Sequence, residues 1–209
     1  MSKHDTIHPG LNLGEHHGAA HDKAEIGAFG FWIFLMSDLI IFGLMFALYV
    51  TMQNPMGQAG GPGPKELFDL TSALIQTMLL LVSSLSFGLA SLALRHHRSR
   101  AELTFWLALT LLLGLAFLSF EARDFAAMFA ADAGPSRSGF LSAFFGLVPL
   151  HGLHVASGCL WLLIMLIQIR TLGLSDLVKS RLLKLGLFWH FLDIVWIGIF
   201  SIVYLGGLA

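Results

Sequence analysis

Hydrophobic residues run in long blocks along this chain, separated by short polar or Gly/Pro-rich breaks. Five blocks are long enough to cross about 30 Å of hydrocarbon as helices of about 20 residues: Gly27 to Met52, Leu70 to Leu94, Leu103 to Phe120, Phe140 to Ile169 and Leu182 to Leu208. A barrel strand would need only about 10 residues and would alternate apolar with polar positions. These blocks are longer and uniformly apolar. The pattern predicts an all-α, polytopic membrane protein in which residues 26–209 form one domain of five transmembrane helices behind a polar tail, residues 1–25.

The breaks have recognisable chemistry. Asn54-Pro55 and Gly60-Gly61-Pro62-Gly63-Pro64 end the first helix. Ala133-Gly134-Pro135 precedes Ser136 and Ser138, either of which can cap the fourth helix. Pro149, inside the fourth block, predicts a kink and a freed carbonyl. Gly43, Gly88, Gly114, Gly152 and Gly158 are expected to let helices approach closely. Trp32, Trp106 and Trp189 are expected as interface anchors near the ends of their spans. No internal repeat is visible, and five spans do not divide into the matching halves of a duplicated transporter.

Composition agrees with this reading. The chain is 56% hydrophobic and 12% charged, with a mean hydropathy of +0.77, where a soluble domain carries about 25% charged residues. The net charge of −1 hides an asymmetry. Lys3, Lys23, Arg95, Arg98, Arg100, Arg170, Lys179, Arg181 and Lys184 fall on one side of a five-span topology; Lys65, Arg123 and Arg137 fall on the other. The positive-inside rule predicts a cytoplasmic N-terminus and a C-terminus outside. The basic loops suit anionic lipid headgroups and give no support to nucleic-acid binding.

The tail holds five of the ten histidines, and its polar, Gly-containing composition suits disorder or a docked arm; the histidine spacing lacks the order of a metal-ligand set, which favours a solvated tail over a metal-binding one. It lacks the form of a secretory leader, so the first span is expected to be retained. The single cysteine, Cys159, allows no internal disulfide and excludes a Cys-based metal site.

The chemistry lies in ionisable groups inside the spans, which are costly at membrane depth. By helical rise, Asp38 sits about 16 Å, His190 about 12 Å and Asp193 about 17 Å from the cytoplasmic starts of their helices, while His151 and His154 lie about 17 and 21 Å from the outer end of theirs. The five can share one level. His151 and His154, like His190 and Asp193, are spaced i, i+3 and share a helical face. Two readings follow: a metal or haem site built from His151, His154, His190 and Asp193, or an interhelical hydrogen-bond cluster in which Asp38 or Asp193 accepts from a histidine. A third, a small transporter with Asp38 and Asp193 as a proton relay, lacks broken spans in matching halves. Glu121, Arg123 and Asp124 follow the third block and are expected as helix-end or subunit-contact charges.

These residues resemble subunit III of the haem-copper respiratory oxidases. The similarity is carried by Phe29-Gly30-Phe31-Trp32 with Met36-Ser37-Asp38, by Ser138-Gly139-Phe140 leading to His151-Gly152-Leu153-His154-Val155, and by Trp189-His190-Phe191-Leu192-Asp193-Ile194-Val195-Trp196. The five-span length looks like the short subunit III of the bo-type ubiquinol oxidases; a cytochrome c oxidase subunit III is the alternative within the family. Asp38 and Asp124 stand where many relatives carry glutamate, and no proton-carrying role is transferred to either. The resemblance implies a subunit with no catalytic, metal or cofactor-binding residue of its own. It also implies a large catalytic partner holding haem b, haem o and copper, further oxidase subunits and bound phospholipid. The histidines and aspartates then become a buried structural cluster.

Overall fold

The computed structural model describes residues 19–96 and 99–208, with backbone alone for 19–25, 65–66 and 208. Among the described residues there is no strand, and five helices are long and apolar enough to cross a membrane. They are α1 (Ala19–Met52), α4 (Leu70–Arg95), α5 (Arg100–Ala130), α6 (Gly139–Thr171) and α7 (Asp176–Ile199). Two single-turn helices, α2 (Pro55–Gln58) and α3 (Pro64–Leu67), lie in the first connection. After α7 the chain continues through a π-helical segment, Phe200–Leu205, into a last turn, α8 (Gly206–Leu208). Most of the polar tail, residues 1–18, lies outside the described residues, so the readings placed on its histidines are not addressed; α1 takes in its last residues from Ala19.

Capping chemistry sets the helix starts. Asn54 Oδ1 accepts from Gly57 N at 2.8 Å, with Pro55 opening α2. Asp69 Oδ1 accepts from Thr71 N at 2.9 Å at the start of α4. Ser99 caps α5 through Glu102 N at 3.2 Å. Of the two serines considered for α6, Ser138 does the work, its hydroxyl accepting from Leu141 N at 3.1 Å. Ser138→Ala is expected to cost about 1 kcal/mol, measurable as a lowered melting temperature in detergent, with Ser138→Asp retaining most of the stability. The helix α6 runs unbroken through Pro149.

Short connections make α4 and α5, α5 and α6, and α6 and α7 antiparallel neighbours, and α7 closes the ring against α4. The helix α1 stands outside this four-helix bundle, packed on α6 and α7. The connection from α1 to α4 crosses one end of the bundle, where Phe68 packs on Phe140, Phe144 and Tyr204 with ring centroids 5.0 to 6.4 Å apart. The C-terminal turn is tied to the same end: Gln53 Nε2 donates to Gly206 O at 3.5 Å, and Tyr49 donates to the Val203 carbonyl at 3.4 Å.

The close approaches fall at only some of the expected glycines. A Cβ on Gly114 would meet Cys159 Sγ and Trp189 at 2.9 Å, and one on Gly158 would meet Trp189 and Phe188 at 3.2 to 3.3 Å. Gly43 and Gly88 face open space, with nothing among the described residues within 4 Å of an added Cβ. Trp189 is also corrected. It is no interface anchor but a core residue, 1% exposed, whose indole donates to Ser83 Oγ at 3.1 Å and stacks on Phe87. The small residues Gly114 and Gly158 make the slot it fills.

Candidate functional site

The five ionisable residues at mid-depth form separate sites on different sides of α7 rather than one cluster. On the α1 side, His154 Nε2 comes within 3.0 Å of Asp38 Oδ2, although the approach is too oblique for a linear hydrogen bond. His154 Nδ1 lies 2.7 Å from the Leu150 carbonyl and must therefore carry a hydrogen toward it. Phe42, fully buried, places its ring 5.3 Å from His154 and 6.5 Å from His151 and seals the pair from the bundle interior.

His151 is wholly buried. Its Nε2 donates across to the Leu192 carbonyl of α7 at 3.2 Å, between the rings of Phe117 and Trp196. Its Nδ1 has no partner among the described residues. It therefore ties α6 to the α7 backbone, while the histidine beside Asp38 is His154 and the one beside Asp193 is His190.

On the α4 side, Asp193 is buried, but His190 is not: its side chain is 46% exposed. His190 Nδ1 lies 2.9 Å from Ser84 Oγ and 3.6 Å from Asp193 Oδ2. The last distance is long for a direct hydrogen bond. The i, i+3 spacing does bring this pair onto one face, and that face turns outward between α7 and α4. Because His151, His154 and His190 are each committed to a different carbonyl, carboxyl or hydroxyl, the four residues of the metal reading do not converge. No three His, Cys, Asp or Glu side chains among the described residues come together to hold a metal ion.

Of the charges after the third apolar block, Arg123 and Asp124 pair with each other while Glu121 points elsewhere. The helix α5 continues about two turns past them to Ala130, so they do not mark its end. Glu121 is 4% exposed. It points at α6, where its carboxyl lies so near Gly152 that a Cβ there would sit 2.9 Å from Cδ. Asp124 faces α4 and accepts from Ser72 Oγ at 2.6 Å and Gln76 Nε2 at 2.7 Å. Arg123, 61% exposed, pairs with Asp124 at 3.2 Å and also donates to Ser72 at 3.2 Å. Sequence reasoning missed Ser72, Gln76 and Ser84; the available signal was polar residues recurring in an otherwise apolar α4, Ser72 and Gln76 turned to α5 and Ser84 to α7. It also missed Thr77, which accepts from the Trp196 indole at 3.1 Å.

The arrangement ties helices together through polar side chains, among them the His151 contact to the Leu192 carbonyl and the Asp124 contacts to Ser72 and Gln76. Against known proteins, the sequence profile described as cytochrome c oxidase subunit III matches residues 3–208. The protein named cytochrome bo(3) ubiquinol oxidase subunit 3 of Pseudomonas aeruginosa is 46% identical over 195 residues, 93% of this chain and 92% of that protein. The protein of the same name in Pseudomonas putida is 43% identical, covering 90% and 89%. A Staphylococcus epidermidis protein named probable quinol oxidase subunit 3 is 39% identical, covering 90% and 92%. With the profile spanning all but the ends of the sequence and these relatives matched over nearly their full length, the chain belongs to the cytochrome c oxidase subunit III family.

Proposed function

We propose that this chain is the non-catalytic third subunit of a proton-translocating ubiquinol oxidase in a bacterial inner membrane. Quinol is oxidised and oxygen reduced to water in a large partner subunit that holds haem b, haem o and copper. This chain stabilises that partner and binds phospholipid against its apolar outer faces. The observation that carries the reading is the match, over about nine-tenths of both chains, to proteins named as the third subunit of quinol oxidases. The inward-facing histidines His151 and His154 are each engaged by a protein group, as a structural role requires. The nine-to-three distribution of basic residues supports a cytoplasmic N-terminus and a periplasmic C-terminus.

The family description names a cytochrome c oxidase, so the electron donor is what an experiment must decide. The tagged chain is purified in mild detergent from its native membrane, and the complex is assayed with ubiquinol and with reduced cytochrome c. The expected result is a large haem-bearing partner, oxygen uptake with ubiquinol only, and a colourless third subunit after separation. Turnover with cytochrome c alone would favour the sister branch. Haem retained by the separated chain would end the accessory reading.

A further inference from the structure

The helix α7 is covered by α6 behind it, by α1 on one flank and by α4 on the other. Between Leu185 and Ile199 only four of its side chains are exposed: Leu187, His190, Ile194 and Ile197. With Ser201 in the π segment, also exposed, they recur at alternating spacings of three and four residues. That spacing is the narrow seam along which one helix packs on another. By contrast, α1 exposes a broad arc that includes Phe29, Ile33, Ile40 and Leu44, the form of a helix bathed in lipid.

The seam has a polar centre. His190 stands about 21 Å along a rod of about 44 Å from Asp176 to Leu205, at mid-depth, where lipid headgroups do not reach. Its Nδ1 is held from behind by Ser84, with the buried Asp193 carboxyl beside it. This fixes the ring so that Nε2 faces outward, and no hydrogen bond forms at Nε2 among the described residues. Other outward hydroxyls in the spans are spent on their own helix: Ser37 on Ile33 O at 3.1 Å, Ser119 on Ala116 O at 2.7 Å and Ser157 on His154 O at 2.7 Å. They are compatible with lipid. An imidazole edge backed by a buried acid is not, because acyl chains offer it no partner.

We infer that the groove along α7 between α1 and α4 receives a transmembrane helix of the large catalytic subunit, which presents a hydrogen-bonding side chain to His190 Nε2. The inference rests on the reading of this chain as an oxidase subunit. It specifies the face and the contact. The apolar residues Leu187, Ile194 and Ile197 supply the packing, and His190 fixes the register.

The test uses the intact complex. A photoreactive benzoylphenylalanine replaces Ile194, 66% exposed, or, for comparison, Leu112 on the outer face of α5, 64% exposed. On illumination, Ile194 is expected to form an adduct with the large haem-bearing subunit, and Leu112 is not. Adducts at Ile194 with phospholipid, quinone or a smaller subunit would overturn the inference, as would capture of the large subunit from Leu112 alone. In each of these cases the haem-bearing partner is still present, so the oxidase reading survives. If no such partner co-purifies, both fall.

A second measurement isolates the hydrogen bond. His190→Leu makes the seam wholly apolar and is expected to raise the fraction of this chain released from the complex in detergent by roughly threefold to tenfold. His190→Gln should restore most of the association, and helical content should be the same in both variants. Unchanged release in His190→Leu would overturn the polar contact.

Discussion

Gly152→Ala is expected to destabilise the chain by about 3 kcal/mol, at the upper end of the range for overpacking a well-filled core. The added methyl would enter the space of the Glu121 carboxyl, which is nearly fully buried between α5 and α6. The carboxyl cannot retreat cheaply, because it is only 4% exposed and interiors of this kind are close-packed. The diagnostic result is the rescue. Glu121→Ala removes the group that the methyl would strike, so the double variant should recover more than half of the loss, although the sites lie on different helices. Melting temperature in mild detergent and the amount of folded chain in the membrane are the readouts. If Gly152→Ala melts like the parent, or if Glu121→Ala gives no rescue, the helices do not approach as described.

His154→Leu should have the second-largest effect, about 3 kcal/mol, because it leaves the Asp38 carboxyl buried with no imidazole beside it. Removing one partner of such a pair costs more than replacing both with apolar groups of similar size. Asp38→Leu combined with His154→Leu is therefore expected to be more stable than His154→Leu alone. The same thermal measurement checks this, and a double variant no better than the single would show that the pair is not coupled.

The apolar blocks made the five spans legible, because at membrane depth the backbone must bond to itself and an apolar run of this length has few other solutions. Helix ends were less legible. Glu121, Arg123 and Asp124 interrupt the apolar count without interrupting the helix, since α5 accommodates them by turning one inward, one toward α4 and one to the surface. The π segment after Ile199 has no local signature at all. The mid-depth level shared by the ionisable residues followed from helical rise alone, as did the pairing of faces at i, i+3. Which face turns inward did not. His190 and Asp193 lie on one face whether or not it is buried, and only the packing of α4 and α1 around α7 decides that this face opens outward. The burial of Glu121 was out of reach for the same reason: it depends on Gly152, a residue on the neighbouring helix that sequence reading treated as a packing glycine without a named partner.

The separation of α1 from the ring of four has a consequence for synthesis. Asp38 leaves the ribosome 116 residues before His154 (154 − 38), and α6 and α7, against which α1 packs, are the last two long helices to be made. At a translation rate of about 5 to 20 residues per second, α1 resides in the bilayer for roughly 6 to 23 s before its imidazole exists. During that interval it is held by its apolar majority, without its contacts to α6 and α7. A ribosome stalled within the codons for α5 would leave in the membrane a fragment whose carboxylate has no counterpart, a natural substrate for membrane proteolysis.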